Sequence, residues 1–584
     1  MASPGGKYFI QDKLSQPAGH HASFEALWET KWKPLCDRGI YPFMYGTTED
    51  FEPVVKSIVA AGLKPPYNWD EYASHFFSRA HDLVVQATNS SDRERASEFF
   101  MRASALYRIA RFPAPRSEKQ YIAWKRGKEA ALEGLKLQKY PMIEVEIPHT
   151  YAANGDGDVL PGYYHLPSHA LPDRRVPLVI IFTGLDGYRT ELAVWKDGWA
   201  GLGVALLILE IPGTGDNPGA PSDPESPDRV WSSMFDWIGQ QKCIDQSKIV
   251  NWGFSTGGYY SIRLAHTHAD KLKGVVALGG GCHHMFDPEW LDAADSLEYP
   301  FDLAHTLCYK FGYGTDFEHF KKEARDKFSL LSNGILDRQG CARLLLVNGT
   351  EDEIFPIDDY YLCLQHGDPK EARFVGGVKH MGEPASFVII LRWIFKLLDI
   401  PGDVNKFLST IPFKAKLGHY GFGRLFRGDA TDYWARYLID LNDDLVATSL
   451  VGALFAQYEF IVDLLKKDLA IDLVWGRVET QVCPSKHRAS SLPWGSTNGK
   501  TKNRFANQEL RARGDVTKYY HGPNPLSTRA TIGLILGKLD YEGHVAGWSA
   551  PEESGRYHVQ IRCDKIDPKL DMPLGINHAL IEIY

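Results

Sequence analysis

A single serine stands between two glycines in Gly253-Phe254-Ser255-Thr256-Gly257, inside the stretch VNWGFSTGGYYS (residues 250–261). A serine hydroxyl becomes a useful nucleophile only when a base takes its proton, and that base needs an acid to orient it. The G-x-S-x-G spacing alone says little in a chain with 53 glycines. Its flanks give it meaning: IVNWG reads as a buried strand, and GGYYSIRLAHTHA can continue as a helix. So tight a strand-to-helix turn strains its central residue and exposes it, while the glycines admit close chain approach. The hydroxyl then sits at a helix N-terminus, where free N–H groups and the helix dipole favour developing negative charge.

The acid and the histidine follow such a serine in that order, each just past a later strand. RLLLVNG (343–349) runs into TEDEIFPIDD, and ARFVGG runs into VKHMGE. Asp352 is therefore assigned as the acid and His380 as the base, with Glu351 the nearest rival acid. Asp358 and Asp359 are read as caps of the following helix. His380 stands out among 21 histidines because it alone sits just past the last strand of the sheet and after the acid. The competing pair, His283 and His284 in GGGCHHM, is assigned to substrate contact. A tetrahedral oxyanion needs two backbone N–H donors. One is Thr256, next to the nucleophile; the other is Leu185 or Asp186, from the loop IFTGLDGYRTE. Asp186 has a second reading, as an acceptor that fixes its own loop.

The elements that must position these residues follow from hydrophobic periodicity. Residues 20–140 read as helical: SHFFSRAHDLVVQA and RERASEFFMRASALYRIARF place apolar residues at i, i+3, i+4 and i+7, with Asp92 a cap for the second. At about residue 142 the period changes, and MIEVEIPH and LPGYYHLP alternate as a half-exposed antiparallel edge. PLVIIFTG, GVALLILEI, IVNWGFS, GVVALGG and RLLLVNG are short, continuously apolar runs separated by helix-length segments. Strands apolar on both faces belong in a parallel sheet covered by helices, a doubly wound α/β fold. Residues 283–340 suit an insertion over one end of the sheet, and ASFVIILRWIFKLL closes the segment. We divide the chain into a helical region (1–140), a catalytic α/β domain (141–410) and a C-terminal extension (411–584). In the extension, DYWARYLIDLNDDLVATSLVGALFAQYEFIVDLL reads as helical, SSLPWGSTNGKTKNRFANQ as loop, and RATIGLILGKL and RYHVQIRC as strands, so the extension is α+β. Its GSTNGKT has one residue too few between the glycines for a phosphate loop.

Bulk properties narrow the partners. At 44% apolar and 24% charged the composition is that of a globular protein, and a net charge of −8 supplies no basic field for nucleic acid or anionic membrane. No apolar run approaches the roughly 18 residues of a membrane helix. The eight cysteines (36, 243, 282, 308, 341, 363, 483 and 563) show no metal-ligand spacing, so neither a disulfide framework nor a zinc site is expected. The N-terminal MASPGGKYFIQDKLS lacks the apolar core of a secretory signal, and a cytoplasmic location is expected.

Taken together, ALYRIARFP, FTGLDGYRTE, EIPGTGDNP, WGFSTGGYY, NGTEDEIFPIDD and KHMG resemble a group of α/β-hydrolases over residues 20–405, about two-thirds of the chain. The group is that of the fungal pigment-type polyketide chain-shortening hydrolases, related to the bacterial FrsA-like esterases and to 2,6-dihydropseudooxynicotine hydrolase. The resemblance implies an α/β-hydrolase with a helical, partly N-terminal lid and a triad of Ser255, Asp352 and His380, the assignment already reached from the residues. It also implies cleavage of a carbon–carbon bond in a 1,3-dicarbonyl polyketide of pigment metabolism, with no metal or redox cofactor. An ester or thioester hydrolase with the same three residues is the alternative, and a ligand-binding module on this fold a third. The expected partners are a small polyketide or acyl substrate and, at most, a second copy of the chain. Tyr188 is a candidate substrate contact, and Tyr163, Tyr164 and Trp195 are candidates for an aromatic lid or for core packing. The extension after 411 matches nothing in the resemblance.

Overall fold

The computed structural model describes residues 7–411 and, beyond them, the backbone of five strands. The chain divides into two compact units, Met1–Phe413 and Lys414–Tyr584.

In the first unit eight strands form one sheet: β1 (Ile143–Pro148), β2 (Val159–His165), β3 (Val176–Phe182), β4 (Ala205–Leu209), β5 (Ile244–Phe254), β6 (Gly274–Leu278), β7 (Leu344–Gly349) and β8 (Lys370–Val375). Their spatial order is β1-β2-β4-β3-β5-β6-β7-β8. β3 to β8 pair in parallel, whereas β1 and β2 are antiparallel. This is the mostly parallel, doubly wound sheet of an α/β-hydrolase. The uniformly apolar runs lie where the reasoning requires: every residue of β4, β6 and β7 is buried, while β1 and β8, at the two edges, stay partly exposed. From β3 the chain steps to β4 on one side and then to β5 on the other. The loops at the carboxyl ends of β3 and β5 therefore flank a topological switch point, the usual crevice for ligands.

Three long helices, of 21, 19 and 19 residues, run in succession just before the sheet. Trp69–Asn89 is capped by Asn68, which accepts the amides of Asp70 and Glu71 at 3.1 Å. Arg93–Arg111 is capped by Asp92, which accepts the amides of Glu94 and Arg95 at 2.9 and 3.2 Å, as its position suggested. Glu118–Lys136 follows Ser117. Each cap satisfies amides that a helix start leaves without partners. The segment 283–340 is helical, with Pro288–Ala294, Leu303–Lys310 and Phe317–Phe328. Among the described residues no helix is long and apolar enough to cross a membrane.

One expectation is corrected. The helix Asp358–Cys363 has no side-chain cap. Asp358 instead accepts the Phe9 amide at 3.1 Å. Asp359 is buried, and its carboxylate gathers the amides of Cys282, His283, His284 and Met285 at 2.6–3.1 Å. Four converging N–H donors outweigh a helix start, so this acid orders the loop after β6.

In the second unit β9 (Val478–Cys483), β10 (Thr517–His521), β11 (Val545–Ser549), β12 (Arg556–Ile561) and β13 (His578–Ile583) form a sheet of order β11-β12-β10-β13-β9. β10 and β13 pair in parallel and the other neighbours antiparallel. β12 is the strand expected from RYHVQIRC. The helical reading of 432–465, the loop around GSTNGKT and the strand RATIGLILGKL lie outside the described residues.

Candidate active site

Ser255 joins β5 to the helix Thr256–Thr267 with φ 53° and ψ −122°. A non-glycine residue in such a conformation stores on the order of 1–3 kcal/mol of strain, held only because the surroundings leave no alternative. The surroundings here are glycines. A Cβ on Gly253 would lie 2.1 Å from Ser261 Oγ, and one on Gly257 2.3 Å from the Thr183 carbonyl. The Ser255 amide donates to Leu278 O on β6 at 2.7 Å. Every neighbour from Asn251 to Tyr260 is buried, and Ser255 alone is partly exposed.

His380 Nε2 lies 2.9 Å from Ser255 Oγ, and His380 Nδ1 lies 2.8 Å from Asp352 Oδ2. A carboxylate only accepts, so Nδ1 carries the proton and the Nε2 lone pair faces the hydroxyl. Asp352 is fixed in turn. Its Oδ1 accepts the amides of Ile354 and Phe355 at 2.7 and 3.1 Å, and its Oδ2 accepts Asn348 Nδ2 at 2.7 Å. Asn348 Oδ1 takes the Met381 amide at 2.9 Å, so one side chain on β7 ties the acid to the histidine turn. That turn needs close approach: a Cβ on Gly349 would meet Lys379 O at 2.0 Å. Burial alone would pull the His380 imidazole down, but the Asp352 carboxylate, with Glu298 and Asp186 behind it, holds it above the ordinary histidine value. Glu351, the rival acid, points away and pairs with Lys13 at 2.6 Å.

The loop after β3 packs on the nucleophile turn: a Cβ on Gly184 would lie 3.3 Å from Phe254 O and 3.4 Å from Ser255 Cβ. Leu185 and Asp186 follow directly. Thr256 opens its helix, so its amide has no intrahelical acceptor. The Asp186 carboxylate accepts the Tyr299 hydroxyl at 2.9 Å, and its main-chain oxygen accepts Arg111 Nη1 at 2.7 Å. Burial raises the Asp186 carboxyl above its usual range. Arg111, at the end of Arg93–Arg111, also pairs with the buried Glu191, which Arg108 Nε approaches at 3.3 Å. The motif ALYRIARFP thus acquires a role: its two arginines tie the helical region to the loop beside Ser255.

The other candidates have packing or polar partners of their own. Tyr188 packs between the Arg111 guanidinium, 3.7 Å above its ring centroid, and Trp124 at 5.0 Å. Tyr163 lies under Arg189, Tyr164 against Trp237, and Trp195 against Trp252 and Phe387. His283 joins Ser329 and Arg325 at 2.6 and 3.0 Å, and burial pushes it down to about 4. His284 bonds Asp287 at 2.9 Å. Among the described residues His283, His284 and Asp287 could offer ligand atoms to a metal, all within 4.8 Å of one another. Lys7 and Arg325 each already lie 2.9 Å from Asp287, however, and Tyr8 donates to it at 3.0 Å. Those cations meet the carboxylate's charge, and the group is an ion-pair cluster.

Sequence reasoning missed Asn348, Glu298, Tyr299 and the Arg111–Glu191 pair. Only Asn348 had a local signal, its place at the end of a strand that feeds the acid.

The family model described as Esterase FrsA-like matches residues 67–375. Esterase FrsA of Pectobacterium atrosepticum is 21% identical over 352 residues, 58% of this chain and 80% of that protein. Esterase FrsA of Vibrio vulnificus is 28% identical over 222 residues, 38% of this chain and 49% of that protein, so the chain spans only about half of that relative. Among solved structures, the 2,6-dihydroxy-pseudo-oxynicotine hydrolase is similar at 19% identity with a TM-score of 0.47, covering 63% of this chain and 95% of that one.

Proposed function

The chain belongs to the FrsA-like esterase family, and from that premise we propose that it is a serine hydrolase in which Ser255 attacks a carbonyl carbon. His380 is the base and Asp352 its orienting acid. The observation that carries this reading is the unbroken hydrogen-bonded run from Ser255 through His380 to Asp352, at 2.9 and 2.8 Å. His380 Nε2 takes the hydroxyl proton as Oγ bonds to the carbonyl carbon. The alkoxide that forms lies by the helix N-terminus, where the amides of Thr256 and of Leu185 or Asp186 are the donors; losing one such donor typically costs about 3 kcal/mol of barrier. His380 then protonates the leaving group, and a water activated by the same imidazole releases the acyl group from Ser255.

The substrate we propose is a 1,3-dicarbonyl polyketide, cleaved between the attacked ketone and the adjacent carbon. A carbon leaving group departs because its electron pair delocalises as an enolate onto the second carbonyl, and His380 returns the proton to that carbon. The products are a short acyl acid and the shortened ketone. The resemblance of the motifs FTGLDGYRTE and NGTEDEIFPIDD to those of fungal pigment-type hydrolases supports this choice. A second reading, an ester or thioester substrate taken through the same steps, is favoured by the family's description as esterases.

A fluorophosphonate probe is expected to label the chain at Ser255, with no labelling of Ser255→Ala. Incubation with an acetoacetyl-substituted aromatic diketone and with simple acyl esters, read by mass spectrometry, separates the substrates. Fast ester turnover beside an untouched diketone would overturn the carbon–carbon reading and leave the ester one standing. A folded chain that takes no probe would overturn both.

A further inference from the structure

Three loops must hold their places for this site to work: the acid loop after β7, the histidine turn after β8 and the loop after β3. They come from different strands, and one dipeptide of the 283–340 insertion touches all three. Glu298 Oε1 accepts the backbone amide of His380 at 3.2 Å and that of Glu353 at 3.4 Å. The next residue, Tyr299, donates its hydroxyl to Asp186 at 2.9 Å. The dipeptide is itself held from behind by the N-terminal segment: His21 Nε2 donates to Leu297 O at 2.7 Å and His20 Nε2 to Tyr299 O at 3.0 Å. The Glu298 and Tyr299 side chains are both buried.

We propose that Glu298 and Tyr299 are the positioning residues of this site: Glu298 sets the spacing of acid and base and places a negative charge behind the imidazole, and Tyr299 anchors the loop beside the nucleophile through Asp186. The proposal rests on the serine-hydrolase reading. One carboxylate oxygen shared by the amides of residues 353 and 380 ties the loop of Asp352 to the turn of His380. Misplacing a reacting group by about an ångström can cost on the order of a hundredfold in rate, so a tie of this kind acts on kcat.

The charges facing Glu298 come from three places. Asp352 and Glu353 lie on the acid loop, His380 and Lys379 on the histidine turn, and Lys31 on the N-terminal segment; Asp186 acts on His380 as well. Lys379 binds Glu353 at 2.6 Å and stands 3.9 Å from Glu298. Burial and the neighbouring Asp352 push the Glu298 carboxyl up, while Lys31, His380 and Lys379 draw it down. Its negative charge favours the imidazolium that forms when Ser255 gives up its proton.

The test compares Glu298→Gln, Glu298→Ala and Tyr299→Phe in the full chain, using an activated acyl ester and the fluorophosphonate probe. Glutamine keeps an oxygen for both amides and loses the charge; alanine loses both. Glu298→Ala is expected to lower kcat by about a hundredfold with KM within about threefold. Glu298→Gln should keep kcat within about tenfold, while the acid limb of its pH–rate profile moves to lower pH because the imidazolium has lost a stabilising charge. Tyr299→Phe should slow probe labelling about tenfold. A folded Glu298→Ala with wild-type kcat, a glutamine variant as impaired as alanine, an unmoved acid limb, or wild-type labelling in Tyr299→Phe would each overturn the proposal. If alanine fails to fold, the glutamine profile still decides. A wild-type chain that neither takes the probe nor turns over the ester defeats the serine-hydrolase reading instead, so the two failures are distinguishable.

Discussion

In the proposed mechanism His380 must be neutral to take the proton of Ser255, and its surroundings favour the charged form. Burial opposes that charge, but Asp352 at 2.8 Å, with Glu298 and Asp186 beyond, raises the pKa above the ordinary histidine value. Activity should therefore fall as pH drops through that raised value, with the acid limb above the usual histidine range. Asp352→Asn removes the charge and offers Nδ1 a donor, so it favours the wrong tautomer. It is expected to lower kcat on the order of 10⁴-fold and to move the acid limb downward, as a pH–rate series on an activated ester would show. An unmoved limb would mean that Asp352 does not face the base in solution. The proposed triad was legible because each member follows the carboxyl end of a strand and the chain order serine, acid, histidine is a known signature. Glu298 was not. Its partners lie 55 and 82 residues away, and no periodicity or motif marks an acceptor for distant amides.

At the scale of elements, helix starts and turns carry local signals, whereas the ties between elements do not. Asp92 was readable as a cap because a cap bonds two or three residues onward. Replacing it with alanine should cost about 1 kcal/mol, measurable as a lower denaturant midpoint. Arg111 and Glu191 are 80 residues apart, and both are almost wholly buried. From the sequence Arg111 was only a basic residue in the last turn of a helix. Arg111→Met leaves the buried Glu191 with Arg108 as its cation and the Thr190 hydroxyl as a donor, and removing one partner of a buried ion pair typically costs about 3–5 kcal/mol. Because the same guanidinium holds the Asp186 carbonyl at 2.7 Å, probe labelling of Ser255 should slow as well. Glu191→Gln with Arg111 intact separates the effects: stability should fall, but the Asp186 contact remains and labelling should slow less. Equal slowing in both variants would show that Arg111 acts through the ion pair and not through the loop. Asp359 teaches the same lesson in reverse. Its place before an apolar helix suggested a local cap, and four amides some 75 residues away won it instead.

At the scale of the whole chain, the parallel sheet follows from runs of apolar residues and its antiparallel edge from alternation, because burial on one face or both leaves a composition that can be read directly. The strand order was not legible, since nothing local records which strands become neighbours. Every residue invoked for catalysis or positioning, from Arg111 to His380, falls within the unit Met1–Phe413. The second unit closes its own mixed sheet from β9 to β13. Among the described residues, the hydrogen bonds that fix Ser255, His380, Asp352, Asp186 and Glu298 run to partners within the first unit. A chain ending after Phe413 should therefore fold with its site intact and label at Ser255 as fast as the full-length protein, a rate read by time-resolved mass spectrometry with the fluorophosphonate probe. The same chain given the diketone separates chemistry from substrate choice. Full labelling with lost diketone turnover would assign the second unit to substrate recognition, whereas lost labelling in a folded chain would mean that the catalytic geometry needs residues after 413.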